Sequence, residues 1–189
     1  MALSAIALCS RALIRLGAAP ITSFEDGTAE SEIAAALFSP VCAALLSAYS
    51  WSFATGQGVL NALETPPVAD YKNAFQLPAD FLRALSAGAA GRGRGLNYRI
   101  ARNILHTNAD TVTLTYIFRP AEEEFPPYFD AVLIARLSAE FCIPVTENTG
   151  RAETLYRLAD QEFQRARQID AQQDSPVQIE DFSLIKARD

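Results

Sequence analysis

Apolar residues recur with a helical period in four stretches of the chain. Between the second and third lies a region of shorter, extended patterning. The clearest helical stretch opens after the turn Glu25-Asp26-Gly27. It carries Ile33, Leu37, Val41, Ala44, Leu45 and Ala48 on one face of a 3.6-residue period. The pattern predicts a helix from Asp26 or Thr28 to about Tyr49, because Asp and Thr oxygens accept from the unpaired N–H groups of a first turn. Those six residues are its expected buried face. The opposite side, with Ala34, Ala35, Ala43 and Ser47, is small enough for other helices to approach closely. Pro40 lies inside the pattern, where it removes a backbone hydrogen bond at a cost of ~3 kcal/mol and should bend the axis.

The other helices read in the same way. Leu3–Leu16 should bury Leu3, Ile6, Ala7, Leu13 and Leu16 and end at Gly17 in the left-handed conformation, with Pro20 preventing resumption. Glu122-Glu123-Glu124 leads through Phe125-Pro126-Pro127 into a third helix, where proline suits the first turn and carboxylates suit the dipole. Its inward face is Phe129, Val132, Leu133, Leu137 and Phe141, ending near Pro144. A fourth, from about Glu147 to Gln172, carries Leu155, Leu158, Ala159, Glu162, Phe163, Ala166 and Ile169 as its stripe. Glu153 and Arg157 stand there as an i,i+4 pair.

From Trp51 to Pro120 the chain is punctuated by Pro66-Pro67, Pro78 and a glycine-rich loop. Val112–Arg119 is the strongest strand, rich in β-branched and aromatic residues. Asn73–Leu77 and Phe81–Ser86 follow. Tyr98–Ala101 and Asn103–Thr107 suit a hairpin, and Ser52–Leu60 is a weaker strand. The expectation is an α+β chain, mainly α, in which 1–50 and 121–173 form a four-helix bundle-like body. Residues 51–120 form a small antiparallel β insertion of three to five strands, and 174–189 an extended C-terminal tail.

Composition narrows the classes. Half of the 189 residues are hydrophobic and a fifth charged, which is ordinary for a globular chain. No apolar run reads as a membrane span, and Arg11 and Arg15 replace a signal-peptide pattern near the start, so a soluble, non-secreted protein is expected. The net charge of −6 argues against long-range attraction to nucleic acid. Cys9, Cys42 and Cys142 are odd in number and lack a CxxC spacing, so they read as buried hydrophobes rather than a disulfide framework or zinc site.

Candidate chemistry is sparse. His106 is the single histidine and has no ligand-spaced neighbour; no carboxylate pair has acid/base spacing, and no nucleotide-binding or hydrolase motif appears. The expectation is a non-enzyme without cofactor or metal, an enzyme with an unfamiliar site being the remoter option. Gly91-Arg92-Gly93-Arg94-Gly95 is the one conspicuous motif. Arg92 and Arg94 make a candidate interface or DNA-channel loop, and the plainer reading is a mobile hairpin loop kept soluble by two charges. In 174–189 the apolar cluster Phe182, Leu184 and Ile185 is the candidate partner-binding element. The rest of that tail is polar and by composition disordered when alone, so another subunit or protein is expected to hold it.

Four segments carry a resemblance. They are A-L-x-R-L-G-A-x-P-I-T-S-F-x-D-G-T-A-E (Ala12 to Glu30), W-S-F-A-T (Trp51 to Thr55), F-x-L-P-A-D-F-L-R (Phe75 to Arg83) and F-D-A-V-L-I-A-R-L-S-A-E-F (Phe129 to Phe141). With them the chain resembles the head-to-tail adaptor (connector) family of tailed bacteriophages, called tail tubular protein A in short-tailed phages. The resemblance implies a structural virion protein forming a ring, typically twelvefold, beneath the portal protein. Its lumen would continue the channel for double-stranded DNA toward the tail nozzle or tail tube, and its C-terminal segment would reach the portal. Membrane contact is not expected, and the chain would reside at the head–tail junction after assembly in the host cytoplasm. The alternative from another class is a small nucleic-acid-binding module using the 91–95 loop.

Overall fold

A computed structural model describes residues 3–173; there, two helices, seven strands and two helices follow in order, giving an α+β fold. Helix α1 (Ala5–Leu16) starts at Ser4, whose hydroxyl accepts from the Ala7 N–H at 3.3 Å, and ends at Gly17 with φ of 83°. That left-handed cap is the one the sequence calls for. Helix α2 (Ala29–Ala48) starts at Thr28 rather than Asp26: Thr28 accepts from the Ser31 N–H, and Ser31 Oγ accepts from the Thr28 N–H. Asp26 instead holds the preceding turn by accepting from the Thr22 and Ser23 N–H groups, which lower its pKa below the usual carboxylate value. Helix α3 (Pro127–Thr146) begins with Pro127 and passes through Pro144, beyond the end the sequence suggests; α4 (Thr149–Asp170) is capped by Asn148.

Helix α3 is the central one. It packs against α4 most extensively and against α1 and α2, and all five of its expected inward residues are buried. The core they share gathers around Trp51, which is fully buried. Its indole N–H donates to the Leu45 carbonyl at 3.0 Å, and Tyr49, Phe129 and Phe163 pack edge-on to it at 5.0, 5.2 and 5.6 Å.

Two expectations about helix faces are corrected. In α2 the fully covered residues are Ser31, Ala34, Phe38, Cys42 and Leu46, with Val41 nearly so; Leu37 and Leu45 are half-buried, and Ala44 and Ala48 are exposed. The helix is apolar on almost every side, so periodicity cannot choose between faces. The bulk of Phe38 and Leu46 decides it. In α4, Leu158 and Ile169 are exposed at 49% and 38%, and Arg157 donates to Thr154 rather than pairing with Glu153. Helix α2 also departs from the membrane expectation. By length and composition alone, Ala29–Ala48 is apolar enough to cross a bilayer. Its capping box and the burial of Phe38, Cys42 and Leu46 against the protein core fit a helix of the core. Pro40 does not interrupt it. Pro40 is exposed, as is Ala36 one turn before it, so the hydrogen bond that proline cannot make is lost on the outer side of the helix.

The strand region is larger than a single small sheet. Strands β1 (Thr55–Val59), β7 (Thr113–Phe118) and β4 (Phe81–Gly88) form one antiparallel sheet in that order. The second is β2 (Asn61–Ala62), β3 (Asn73–Gln76), β6 (Ile104–Thr107) and β5 (Tyr98–Ala101), also antiparallel. The β5–β6 hairpin turns on Arg102-Asn103, both at positive φ (50° and 63°), as a two-residue turn matched to strand twist requires. The first sheet is covered on both faces. On β7, Leu114 points to a cluster with Phe75, Leu105 and Val112 against the second sheet, while Ile117 joins the helical core. Strand β4 serves both sides through two register shifts. Leu82 and Leu85 are passed over in the pairing with β7 and both pack on the helical core, while Phe81, Ala84 and Ala87 face the second sheet.

Candidate functional site

An apolar concavity follows from the rotation of α2. Leu37, Pro40, Val41, Ala44, Leu45 and Ala48 line a groove of about 340 Å³ whose floor is Arg136 and Glu140 of α3. It continues over Leu45 and Ala48 to Ala159, Asp160 and Phe163 of α4. Five of the six residues that the sequence assigns to the core, all but Ile33, therefore line an open groove between α2 and α4, both of which rest on α3.

Its polar floor is internally satisfied. Arg136 Nε donates to Glu140 Oε1 at 2.9 Å, the Tyr156 hydroxyl donates to Glu140 Oε2 at 2.8 Å, and the Arg136 guanidinium lies 4.9 Å from the Tyr156 ring centre. Burial and the bond to Glu140 both raise the Tyr156 pKa, so the phenol stays a donor. Such a floor can orient a docked apolar element without supplying a reactive group. The i,i+4 spacing of Arg136 and Glu140 is visible in the sequence, but Tyr156 is brought to them only by the packing of α4 on α3.

Arg92 and Arg94 lie in the loop between β4 and β5, away from the groove. The loop is pinned, in contrast to the mobile hairpin the sequence suggests. The Gly93 carbonyl accepts from Ser86 Oγ at 2.7 Å and Thr115 Oγ1 at 3.2 Å. A Cβ at Gly93 would lie 2.6 Å from Gln57 Nε2, and one at Gly88 would collide with the Arg92 carbonyl, so close backbone approach is what these glycines permit. Both arginines are exposed and neither forms an ion pair among the described residues. Phe182, Leu184 and Ile185 lie outside the described residues.

Other polar groups are absorbed by the fold. The buried Asp170 carboxylate ends α4 by accepting from the Ser52 N–H at 3.0 Å, Ser52 Oγ at 2.8 Å and the Tyr128 hydroxyl at 2.7 Å. Burial and that bond push the Tyr128 phenol up to about 12. Burial likewise pushes the Cys9 thiol to about 12 and the Cys42 thiol to about 11, which keeps both protonated and unreactive. His106 sits in mid-strand, paired across β3 and β5 with Ala74 and Arg99. Among the described residues no group of three or more His, Cys, Asp or Glu could hold a metal ion. Fold and geometry together define an α+β protein whose open concavity is apolar and walled by helices. The chain matches no protein-family model and no curated protein.

Proposed function

We propose that the chain is a structural head-to-tail adaptor of a phage or phage-derived particle. Copies of it form a ring, twelvefold by the resemblance, under the portal; the ring extends the DNA channel and gives the tail its attachment site. In this reading the helices of 1–50 and 121–173 act as a four-helix bundle-like body, 51–120 as a β-rich insertion, and 174–189 as the portal-binding segment. The protein is not an enzyme and needs no cofactor. Double-stranded DNA passes its lumen without sequence-specific contact, and the particle's tail nozzle or tube meets its free side. It resides in the virion after assembly in the host cytoplasm.

The observation that carries the proposal is the apolar groove along α2, where Pro40, Ala44 and Ala48 are exposed and Leu37 and Leu45 only half-buried. A face of this kind is favourable to bury and has no chemistry to perform, which suits a subunit completed by its neighbours. The segments of the resemblance support it. Ala12–Glu30 supplies the caps of α1 and α2, Trp51–Thr55 the aromatic centre, and Phe129–Phe141 the central helix. These are the joints of the scaffold. The test is to mix the chain with the portal ring of its own particle and measure mass; a large complex is expected. Deleting 176–189 should leave helical content unchanged and abolish docking, and a truncated chain that still docks normally would refute the portal assignment.

A second reading is favoured by one observation: the pinned loop holds two exposed arginines, Arg92 and Arg94, that form no ion pair among the described residues. A nucleic-acid contact through two phosphates would give a slope of log affinity against log salt of about −2. If binding of duplex DNA with that slope is seen and disappears in Arg92→Ala plus Arg94→Ala, the binding-module reading is favoured. Salt-insensitive or absent binding removes it.

A further inference from the structure

We infer that the α2 groove is the seat for the outer flank of α4 from a second copy of this chain, so that copies join head to tail. The inference deepens the ring reading above and rests on that part of it alone. Three observations converge. The exposed apolar residues of α4, Leu158 and Ile169, are 11 residues apart, as are Leu37 and Ala48 at the ends of the groove. Each pair therefore spans roughly 16 Å along its helix. The two surfaces also lie on opposite flanks. Ala159, Asp160 and Phe163 wall the groove, while Glu162, Arg165 and Ile169 border a depression with Tyr128 and Ala131 of α3. At 3.6 residues per turn, Asp160 and the Leu158–Ile169 line are roughly 160–180° apart around α4.

The charges agree with the same arrangement. Arg136 with Glu140 and Arg165 with Glu162 are paired within one copy, so the charge left without an ion pair among the described residues is Asp160 at the groove and Arg157, next to Leu158 in sequence, one of each sign. Because groove and flank belong to opposite sides of one copy, seating one in the other leaves an unused groove at one end and an unused flank at the other. A contact of that kind is heterologous. It propagates and closes only as a ring, whereas an isologous pair would stop at two.

The test uses two variants at exposed positions, Ala44→Glu in the groove and Leu158→Asp on the flank, each checked by circular dichroism and thermal melting for an unaltered fold. Sedimentation velocity of the wild-type full-length chain at rising concentration is expected to show assembly beyond a dimer. Each variant alone should weaken assembly about 100-fold or more, since it buries an unpaired charge. An equimolar mixture of the two should stop at a one-to-one pair, because one intact groove and one intact flank remain. Wild-type-like assembly by either folded variant, no pairing in the mixture, or a wild-type chain that stays monomeric at every attainable concentration would overturn the inference. If the chain assembles through this seam yet ignores a portal ring, the seam stands and the adaptor reading falls.

Discussion

At the scale of single residues, Asp130 is the group whose position works against its charge. It sits in the first turn of α3, nine-tenths buried, and its Oδ1 has no hydrogen-bond partner among the described residues. Burial raises its pKa, offset in part by the charge of Arg11. A carboxyl whose folded pKa is raised stabilises the fold most when protonated, and that contribution is lost as pH rises through the raised value. Asp130→Asn should therefore be more stable than the wild type at pH 7, because the amide fills the same site without a charge to desolvate. The advantage should shrink toward pH 4, as denaturant unfolding at the two pH values would report. Nothing in the sequence marks this residue, since an acidic group in a first helical turn reads as favourable. Gly17 and Thr28 were legible for the opposite reason. Their roles are local, set by backbone conformation and the first unpaired N–H groups.

At the scale of elements, existence was easier to read than orientation. All four helices and the main strands stand within a few residues of where the patterns put them. The burial of α2 was misjudged because a helix with apolar residues on nearly every side carries no signal for which side is covered. On α4 the expected stripe includes Leu158 and Ile169, but the small Ala152, Ala159 and Ala166 let α4 lie close on α3 and set the buried centre. In β4 the register shifts place Leu82 and Leu85, three residues apart, on the same side, which a two-residue period does not anticipate. The clasp at the end of α4 was invisible because Ser52 and Asp170 are separated by 118 residues. Asp170→Ala should cost about 2–3 kcal/mol by leaving the Ser52 N–H and Tyr128 hydroxyl unpaired. A lowered midpoint in chemical denaturation, with added fraying of the last turns of α4 in hydrogen exchange, would report it.

At the scale of the whole molecule, the candidate groove could not have been read from the chain, because it arises from three helices that meet at different sequence distances. Of its lining residues, Leu37, Val41, Ala44, Leu45 and Ala48 fall on the face that the periodicity assigns to the interior. The strand layer poses a related question: whether it and the helices behave as separate bodies. Strand β7 contributes Leu114 to one cluster and Ile117 to the other, both fully buried. Leu114→Ala should cost about 2–5 kcal/mol, the usual range for truncating a buried leucine. It should lower by the same amount the melting midpoints reported by Trp51 fluorescence and by the strand signal in circular dichroism. Separated midpoints would show two independent units. A party wall of this kind also has a mechanical meaning. In the adaptor reading proposed above, force on the strand region would pass through β7 into the helices instead of being absorbed at a hinge, and the subunit would carry load while keeping its shape.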